Sequence, residues 1–149
     1  RQTRAISHEL VPMVLNEFGL EPALTDICRT LTSARLHFHC DIDLAELAQP
    51  LPASLQLAVY RMAQELAQNI VKHAQATEAT LALETVPGFL LLRAEDNGVG
   101  FPPEVADRPG LGLRSIRDRV ALLGGTVDMG SAPEVGTYVR LRLPLLPSA

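Results

Sequence analysis

Residues 64–74 read QELAQNIVKHA and lie within the longest segment of helical periodicity in the chain, residues 54–75. Apolar side chains recur along this segment with the spacing of one buried helix face, at Leu55, Val59, Met62, Leu66 and Ile70. Such a stripe is typical of an amphipathic α-helix packed on a core. The pattern therefore predicts a helix over 54–75, and the rest of the fold is expected to pack against it.

A polar stripe accompanies that apolar face. Glu65, Asn69 and His73 are spaced four residues apart, and Lys72 follows Asn69 by three, so these side chains share one side of the helix. An asparagine oxygen suits Mg²⁺, a lysine or histidine suits phosphate oxygens, and a glutamate can orient or deprotonate a water. Taken alone, the stripe is more typical of a solvated helix face.

A second motif, EDNGVGF at 95–101, directly follows a predicted strand. The carboxylate of Asp96 only accepts hydrogen bonds, so at a strand end it can bind an exocyclic amine such as that of adenine. Gly98 and Gly100 allow the backbone to pass close to a ring. A tight Asx turn is the alternative interpretation of the same residues.

A third motif, GLGLRSI at 110–116, leads into a predicted helix. Gly110 and Gly112 would leave backbone N–H groups free at the helix N-terminus, which is a ready anion site. The dinucleotide fingerprint is not matched, because no third glycine stands in register, and there is no GxxxxGK[ST] loop. As a lone GxG, this motif is weak.

In this order, the motifs resemble the nucleotide-binding boxes of the GHKL superfamily, which includes gyrase, the ninety-kilodalton heat-shock chaperone, histidine kinases and MutL. QELAQNIVKHAQAT resembles the N box, DNGVGF the G1 box and GLGLRSIRDRVALLGG the G2 box, while GTYVRLRLP resembles the strand that closes the domain. The Lys-His-Ala ending and the Gly-Leu-Gly-Leu box look like histidine kinases of the NarX/DesK-like subfamily. The resemblance covers about residues 35–145.

The resemblance implies an ATP site with Mg²⁺. Asn69 would hold the metal, Asp96 would bind the adenine amine, and Thr137 would lie beside Asp96. Glu65 matches the position of the hydrolytic base in ATPase members, and its role in a histidine kinase is open. It would contact the metal at most through water. The other implied nucleotide contacts are Lys72, His73, Gly98, Gly100, Gly110, Leu111, Gly112 and Leu113. Residues 101–110 would form the lid over ATP, and Arg114 and Arg117 are either phosphate contacts or surface residues.

The implied fold is α+β: a two-layer α/β sandwich of the Bergerat type, with a mixed, mostly antiparallel sheet and helices on one face. The local patterns predict the remaining elements of that sandwich. Helices are predicted over 1–17, from Pro22 to about Ser33, and over 113–123, and strands over 36–43, 78–86, 89–96, 126–130 and 137–143.

Strand 36–43, LHFHCDID, alternates strictly between apolar and polar residues. His37, His39, Asp41 and Asp43 share its polar face. They are interpreted as a solvated sheet face rather than a carboxylate–histidine metal site. Cys40 falls on the opposite face, and with Cys28 it forms no CxxC pair, so both cysteines are expected to be reduced thiols.

His8, in AISHELVP at 5–12, looks like a phosphoacceptor but is not expected to be one. Only 27 residues separate it from Leu36, too few for a helical arm of about 20 residues plus its return. Residues 1–20 are therefore predicted to be the end of a dimerisation hairpin, and residues 21–149 the ATP-binding catalytic domain. Because the chain opens without Met, we expect it to be part of a longer protein with the acceptor histidine upstream.

The composition of the chain argues against some classes of binding partner. The net charge of −4, the 4% aromatic content and the absence of Trp argue against nucleic-acid binding. No apolar run approaches the ~18 residues of a membrane-spanning helix, so direct membrane contact is not expected. The resemblance implies ATP, a response regulator and the parent's own phosphoacceptor helices as partners, in a homodimeric parent. This domain would be cytoplasmic, whether or not the parent is anchored in the inner membrane.

The predicted function is that of a sensor histidine kinase domain that transfers the γ-phosphoryl of ATP to a histidine, for relay to an aspartate of a response regulator. Two alternatives from the same superfamily are an ATPase and a serine kinase of the anti-sigma type. A degenerate nucleotide-binding or scaffolding module is the non-enzymatic alternative, but every box is intact.

Overall fold

The chain folds into one β-sheet with helices packed beside it. A computed structural model describes residues 12–47, 49–99, 113–132 and 136–145. In chain order the elements are α1 (Met13–Phe18), α2 (Leu20–Leu31), β1 (His37–Asp43), α3 (Ala53–Asn69), β2 (Glu78–Val86), β3 (Phe89–Asp96), α4 (Leu113–Leu122), β4 (Thr126–Ala132) and β5 (Gly136–Pro144). A π-helical turn, Ile70–Ala74, continues α3.

The five strands lie in the order β1-β2-β3-β5-β4. β1 pairs with β2 in parallel, and every other pairing is antiparallel. The β2–β3 hairpin turns at Pro87-Gly88, where Gly88 has φ +81°. The β3–β5 pairing sets Asp96 opposite Thr137, so the end of β3 lies beside the start of β5. The predicted mixed, mostly antiparallel sheet is confirmed.

The helices pack on one face of the sheet, where most of the buried strand residues alternate with more exposed ones. α3 packs on α2 and β3, and α4 packs on β4. The strand residues buried on that side are Phe38, Ala79, Leu81, Leu83, Leu90, Leu92, Ala94, Val139, Leu141 and Leu143, whereas the buried Ala82 faces the opposite side. Val59, Met62 and Leu66 of α3 and Ile70 of the π-helical turn close the core as predicted. The predicted two-layer α+β class is confirmed.

Strand and helix positions follow the sequence patterns closely. Both strands of the β2–β3 hairpin have the predicted bounds. α2 carries Pro22 in its first turn, as expected, where a missing backbone N–H costs no hydrogen bond. The helix predicted over 1–17 is described from residue 12 onward. There α1 begins at Met13, directly after Pro12, and Gly19 ends it with φ +97°.

The α-helix predicted to reach residue 75 ends six residues earlier, at Asn69. The π-helical turn Ile70–Ala74 takes over, and Gln75 ends it in the left-handed conformation with φ +53°. π-helical turns are often found at functional sites. The consequence here is that Lys72 and His73 lie on the π-helical turn, whereas Glu65 and Asn69 lie on regular α-helix.

Within the described ranges, no helix is both long enough and apolar enough to cross a membrane.

Candidate functional site

Asp96 is the last residue of β3 and is half-buried. One carboxylate oxygen, Oδ1, accepts a hydrogen bond from the backbone N–H of Gly98 at 2.7 Å. Burial raises the pKa of Asp96 above its ordinary value, and hydrogen bonds from the backbone N–H groups of Gly98 and Thr137 partly offset that rise. These two donors fix the orientation of the carboxylate, and two acceptor oxygens leave capacity for a ligand donor.

Gly136 allows β5 to start directly against this strand end. Its φ is +112°, and a Cβ built on it would lie 2.0 Å from the carbonyl oxygen of Asp96. No L-residue fits that space without moving the backbone of one strand. The glycine therefore permits the close β3–β5 approach that brings the Thr137 N–H to the Asp96 carboxylate.

Asn97 anchors the same strand end from the other side. Its Oδ1 accepts hydrogen bonds from the backbone N–H groups of Thr77 and Glu78, at 2.9 and 3.0 Å, and its Nδ2 donates to Thr77 Oγ1 at 3.0 Å. The Asn97 N–H also donates to the carbonyl of Glu78. One side chain thus joins the end of β3 to the start of β2.

Replacing Asn97 with alanine removes all three side-chain hydrogen bonds. We expect the free energy of unfolding to fall by about 1–3 kcal/mol, since each exposed bond contributes modestly. Urea denaturation measures this. Asn16→Ala, at an exposed position on α1, is the matched control and is expected to change stability by less than about 0.5 kcal/mol. Equal stability of the two variants would contradict the anchoring role of Asn97.

Glu65, Asn69 and Lys72 line one cleft of about 310 Å³. The structure therefore brings together three of the four predicted stripe residues. His73 is exposed on the π-helical turn and does not line this cleft. The other lining residues are Arg61, Gln64, Gln68 and Arg119.

The cleft concentrates positive charge in an acidic chain. Arg61, Lys72 and Arg119 face it with a single carboxylate, that of Glu65, although the whole chain has a net charge of −4. Cationic side chains around a polar depression attract anions, phosphates among them. The amide oxygen of Asn69 and the carboxylate of Glu65 are hard oxygen donors of the kind that Mg²⁺ accepts while keeping waters. The donor set fits the predicted metal–phosphate pair.

Several side chains of this region were not singled out from sequence, among them Arg61, Gln64 and Gln68 of α3. Arg119 lines the cleft from α4, whereas the arginines considered earlier, Arg114 and Arg117, are exposed, and a guanidinium nitrogen of Arg117 contacts Met129 Sδ at 3.0 Å. Ser131 Oγ lies 3.1 Å from Thr137 Oγ1. Arg114, Arg117 and Arg119 all lie at exposed positions of α4, and no sequence pattern distinguishes them. Only the packing of α4 identifies Arg119 as a cleft residue.

Several predicted site residues lie outside the described part of the chain. They are Gly100, Gly110, Leu111, Gly112, the lid over 101–110, and His8. Of their neighbours, Gly98 is buried beside Asp96, and Leu113 is buried as the first residue of α4.

The polar face of β1 forms an ordinary surface network. His39 Nε2 lies 2.5 Å from Glu78 Oε1, and the rings of His37 and His39 pack edge to face with centroids 4.5 Å apart. Across the described ranges, no three His, Cys, Asp or Glu residues group closely enough to hold a metal ion. The interpretation as a solvated sheet face fits these contacts.

The open face of the sheet has a depression of about 300 Å³ lined by residues of β2, β3, β4 and β5. Its charged lining includes Arg93, Asp128, Arg140 and Arg142. Two of these arginines cover aromatic rings, Arg140 over Tyr138 at 4.2 Å and Arg142 over Phe89 at 4.0 Å. No predicted site residue lines it, so the candidate site is on the helical side.

Residues 54–147 match the family described as "Histidine kinase-, DNA gyrase B-, and HSP90-like ATPase". The chain belongs to this family. The matched span contains the cleft, Asp96 and Thr137. The family resemblance indicated by the three sequence boxes is therefore confirmed.

The curated relatives of this ATPase-family chain are histidine kinases. It is 32% identical over 141 residues to the signal transduction histidine-protein kinase/phosphatase DegS of Bacillus subtilis, covering 90% of the chain and 36% of DegS. It is 32% identical over 145 residues to the sensor histidine kinase ComP of the same organism, covering 96% of the chain and 19% of ComP. The chain therefore spans only a minor part of these relatives' length.

Solved structures share the fold. The blue-light activated histidine kinase EL346 of Erythrobacter litoralis aligns with a TM-score of 0.67 at 20% identity, over 97% of this chain and 44% of that one. ShkA, solved full-length in complex with AMPPNP, aligns with a TM-score of 0.65 at 21% identity, over 87% of this chain and 30% of that one. At these identities the likeness concerns the fold alone.

Proposed function

We propose that this chain is the ATP-binding catalytic domain of a sensor histidine kinase. It transfers the γ-phosphoryl of ATP to a histidine on the parent's dimerisation helices, and an aspartate of a response regulator receives the group next. The membership of the family and the named histidine kinases among the relatives support this proposal. The observation that carries it is the cleft in which three cations and Asn69 face one another.

The two ends of the nucleotide would be held by different elements. Asp96, oriented by two backbone donors, accepts a hydrogen bond from the adenine amine. Asn69 would hold Mg²⁺, Glu65 would contact the metal at most through water, and Lys72 and Arg119 would neutralise phosphate oxygens. ShkA, a structural neighbour that shares the fold, was solved in complex with AMPPNP.

Phosphoryl transfer requires little covalent chemistry from the protein. Positioning of donor and acceptor and neutralisation of charge on the phosphoryl oxygens supply most of the catalysis. When bound, Mg²⁺ would supply positive charge at the phosphates. The chain's own part is to hold the adenine at Asp96 and to add the charges of Lys72 and Arg119 at the cleft.

The domain assignment is part of the same proposal. Residues 21–149 form the catalytic domain, and residues 1–20 are the end of the hairpin helix that carries it. Partners of the parent are then a second copy of itself and a response regulator. The packing of α2 on α3 supports a continuous catalytic domain that includes α2.

Asn69→Ala tests the metal assignment. We expect the affinity for an ATP analogue to fall at least about 10-fold when Mg²⁺ is present, because one oxygen ligand is lost. Without Mg²⁺ the affinity should stay close to that of the parent. Calorimetric titration with and without the metal measures both, and Asn16→Ala serves as a control. Unchanged affinity in Mg²⁺ would remove Asn69 from the metal site.

The acceptor is tested by incubating the chain and labelled ATP with a peptide that carries the upstream helix. Acid-labile phosphohistidine on the peptide supports the proposal. Acid-stable phosphoserine on a partner protein would replace it with the anti-sigma type of kinase, and phosphate release with no labelled protein would replace it with an ATPase.

A further inference from the structure

The two cysteines of the chain, which are twelve residues apart in sequence, meet between α2 and β1. Cys28 lies on the buried face of α2 and is 3% exposed, whereas Cys40 on β1 is partly exposed. Cys28 Sγ lies 3.9 Å from the carbonyl oxygen of His39, the residue before Cys40. Cys40 Sγ lies 3.7 Å from the hydroxyl of Thr25, one helical turn before Cys28.

The connection between the two elements holds this arrangement. Thr32 Oγ1 donates to the carbonyl of Cys28 at 2.8 Å and accepts from the backbone N–H of Phe38 at 3.0 Å. The Ser33 N–H donates to the carbonyl of Leu36 at 2.8 Å. These hydrogen bonds therefore fix the end of α2 relative to the start of β1, shortly before Cys40.

From this juxtaposition we propose that Cys28 and Cys40 form a reversible redox site, which closes to an intramolecular disulfide between α2 and β1. The oxidant class is an oxidised low-molecular-weight disulfide such as glutathione disulfide. The site is independent of the nucleotide cleft, because none of the cleft's lining residues belongs to α2 or β1.

The two thiols have different roles. A hydrogen bond from the Cys28 thiol lowers the pKa of Cys40 to about 7, with a further contribution from Thr25 and opposition from burial and from Glu21 and Asp41. The same hydrogen bond and burial raise the pKa of Cys28 well above its ordinary value. The thiolate is the reacting species, so Cys40 attacks first and Cys28 resolves.

The reaction proceeds in two exchange steps. The Cys40 thiolate forms a bond to one sulfur of the oxidant and expels the other as a thiolate. The Cys28 thiol then loses its proton, attacks Cys40 Sγ and expels the second small thiolate. The protein pair loses two electrons and two protons, and the oxidant is reduced to two thiols that take them up.

The test uses the complete 149-residue chain and glutathione disulfide, followed by intact mass and a count of free thiols. We expect a monomer whose mass is two hydrogens lower, with no free thiol, and dithiothreitol should restore both. Oxidation should raise the melting temperature by roughly 5–10 °C, because the bond closes a loop in the unfolded chain.

Serine variants separate the two roles. Cys28→Ser should retain one glutathione as a mixed disulfide at Cys40, since nothing resolves it. Cys40→Ser should stay unmodified, since Cys28 is buried and its pKa is high. Neither variant should gain melting temperature on oxidation.

Three outcomes would overturn the proposal. They are two free thiols in the unsubstituted chain after it has equilibrated with the oxidant, a persistent mixed disulfide in that chain, or disulfide-linked dimers instead of the internal bond. The mass of the unsubstituted chain decides between these outcomes even where a variant does not fold.

Discussion

An Asp96→Asn variant is expected to bind ATP about 100-fold more weakly than the parent. The ionised carboxylate accepts from the backbone N–H of Gly98 and of Thr137 and, in the proposed complex, from the adenine amine. An asparagine has one acceptor oxygen for three donors, and its NH₂ group faces other donors. The loss of a charge-assisted hydrogen bond with donors left unpaired costs about 2–3 kcal/mol.

Stability should respond differently from binding. Burial raises the pKa of Asp96 in the folded state, so ionisation favours the unfolded chain. The resulting penalty is absent below the ordinary pKa, grows as pH rises toward the raised folded-state pKa, and is complete above it. The asparagine variant, which cannot ionise, escapes this penalty. The gain offsets the weakened hydrogen bonds from Gly98 and Thr137, so the variant should lie within about 1 kcal/mol of the parent at pH 7.

Calorimetric titration with an ATP analogue and urea denaturation at pH 7 measure the two effects. Asp128→Asn, at an exposed position on β4, is the matched control and should change neither. An Asp96→Asn variant with parental affinity would show that this carboxylate does not bind the adenine. A variant that is both weakly binding and clearly destabilised would assign the residue to the fold instead.

Gly136→Ala should destabilise the domain more than any other substitution considered, by about 3–5 kcal/mol. Its φ of +112° strains an L-residue, and the new Cβ would meet the carbonyl oxygen of Asp96 at 2.0 Å. Relief requires that β5 move away from β3, which also withdraws the Thr137 N–H from the Asp96 carboxylate. Nucleotide affinity should fall together with stability.

A Gly88→Ala variant separates the cost of backbone strain from the cost of steric overlap. Gly88 has a φ of +81°, but no atom lies within 4 Å of a Cβ built there. Only the left-handed backbone is then penalised, by about 1–2 kcal/mol. Urea denaturation of both variants measures the difference. If Gly136→Ala cost no more than Gly88→Ala, the close β3–β5 approach would not constrain this site.

Local periodicity accounts for the parts of the fold that were predicted. The hairpin of β2 and β3 was placed correctly because alternating apolar residues flank the Pro87-Gly88 turn. The core stripe of α3 followed from helical spacing in the same way. The π-helical turn Ile70–Ala74 was missed, because residues 70–74 have the same apolar and polar spacing as an α-helix and the altered hydrogen bonding leaves no mark in that pattern.

The residues of the candidate site were likewise predicted only in part. Asp96, Asn69, Glu65 and Lys72 were predicted because boxes with chemical meaning contain them, and three of the four share the cleft. Arg119 could not be told from Arg114 or Arg117. The Asn97 anchor joins residues twenty positions apart, and no local pattern predicts which backbone donors a polar side chain will meet.

By itself, the sequence determined the order and type of the elements, the buried face of each and the family, because hydrophobic period, turn residues and motif spacing are local properties of the chain. The tertiary structure alone decided which side chains from different elements meet. It set Arg119 of α4 at the cleft lined by α3, Gly136 against the carbonyl of Asp96, and the Cys28 thiol against the carbonyl of His39, next to Cys40. Such contacts depend on the packing of helices and strands and on register, which a linear pattern does not encode.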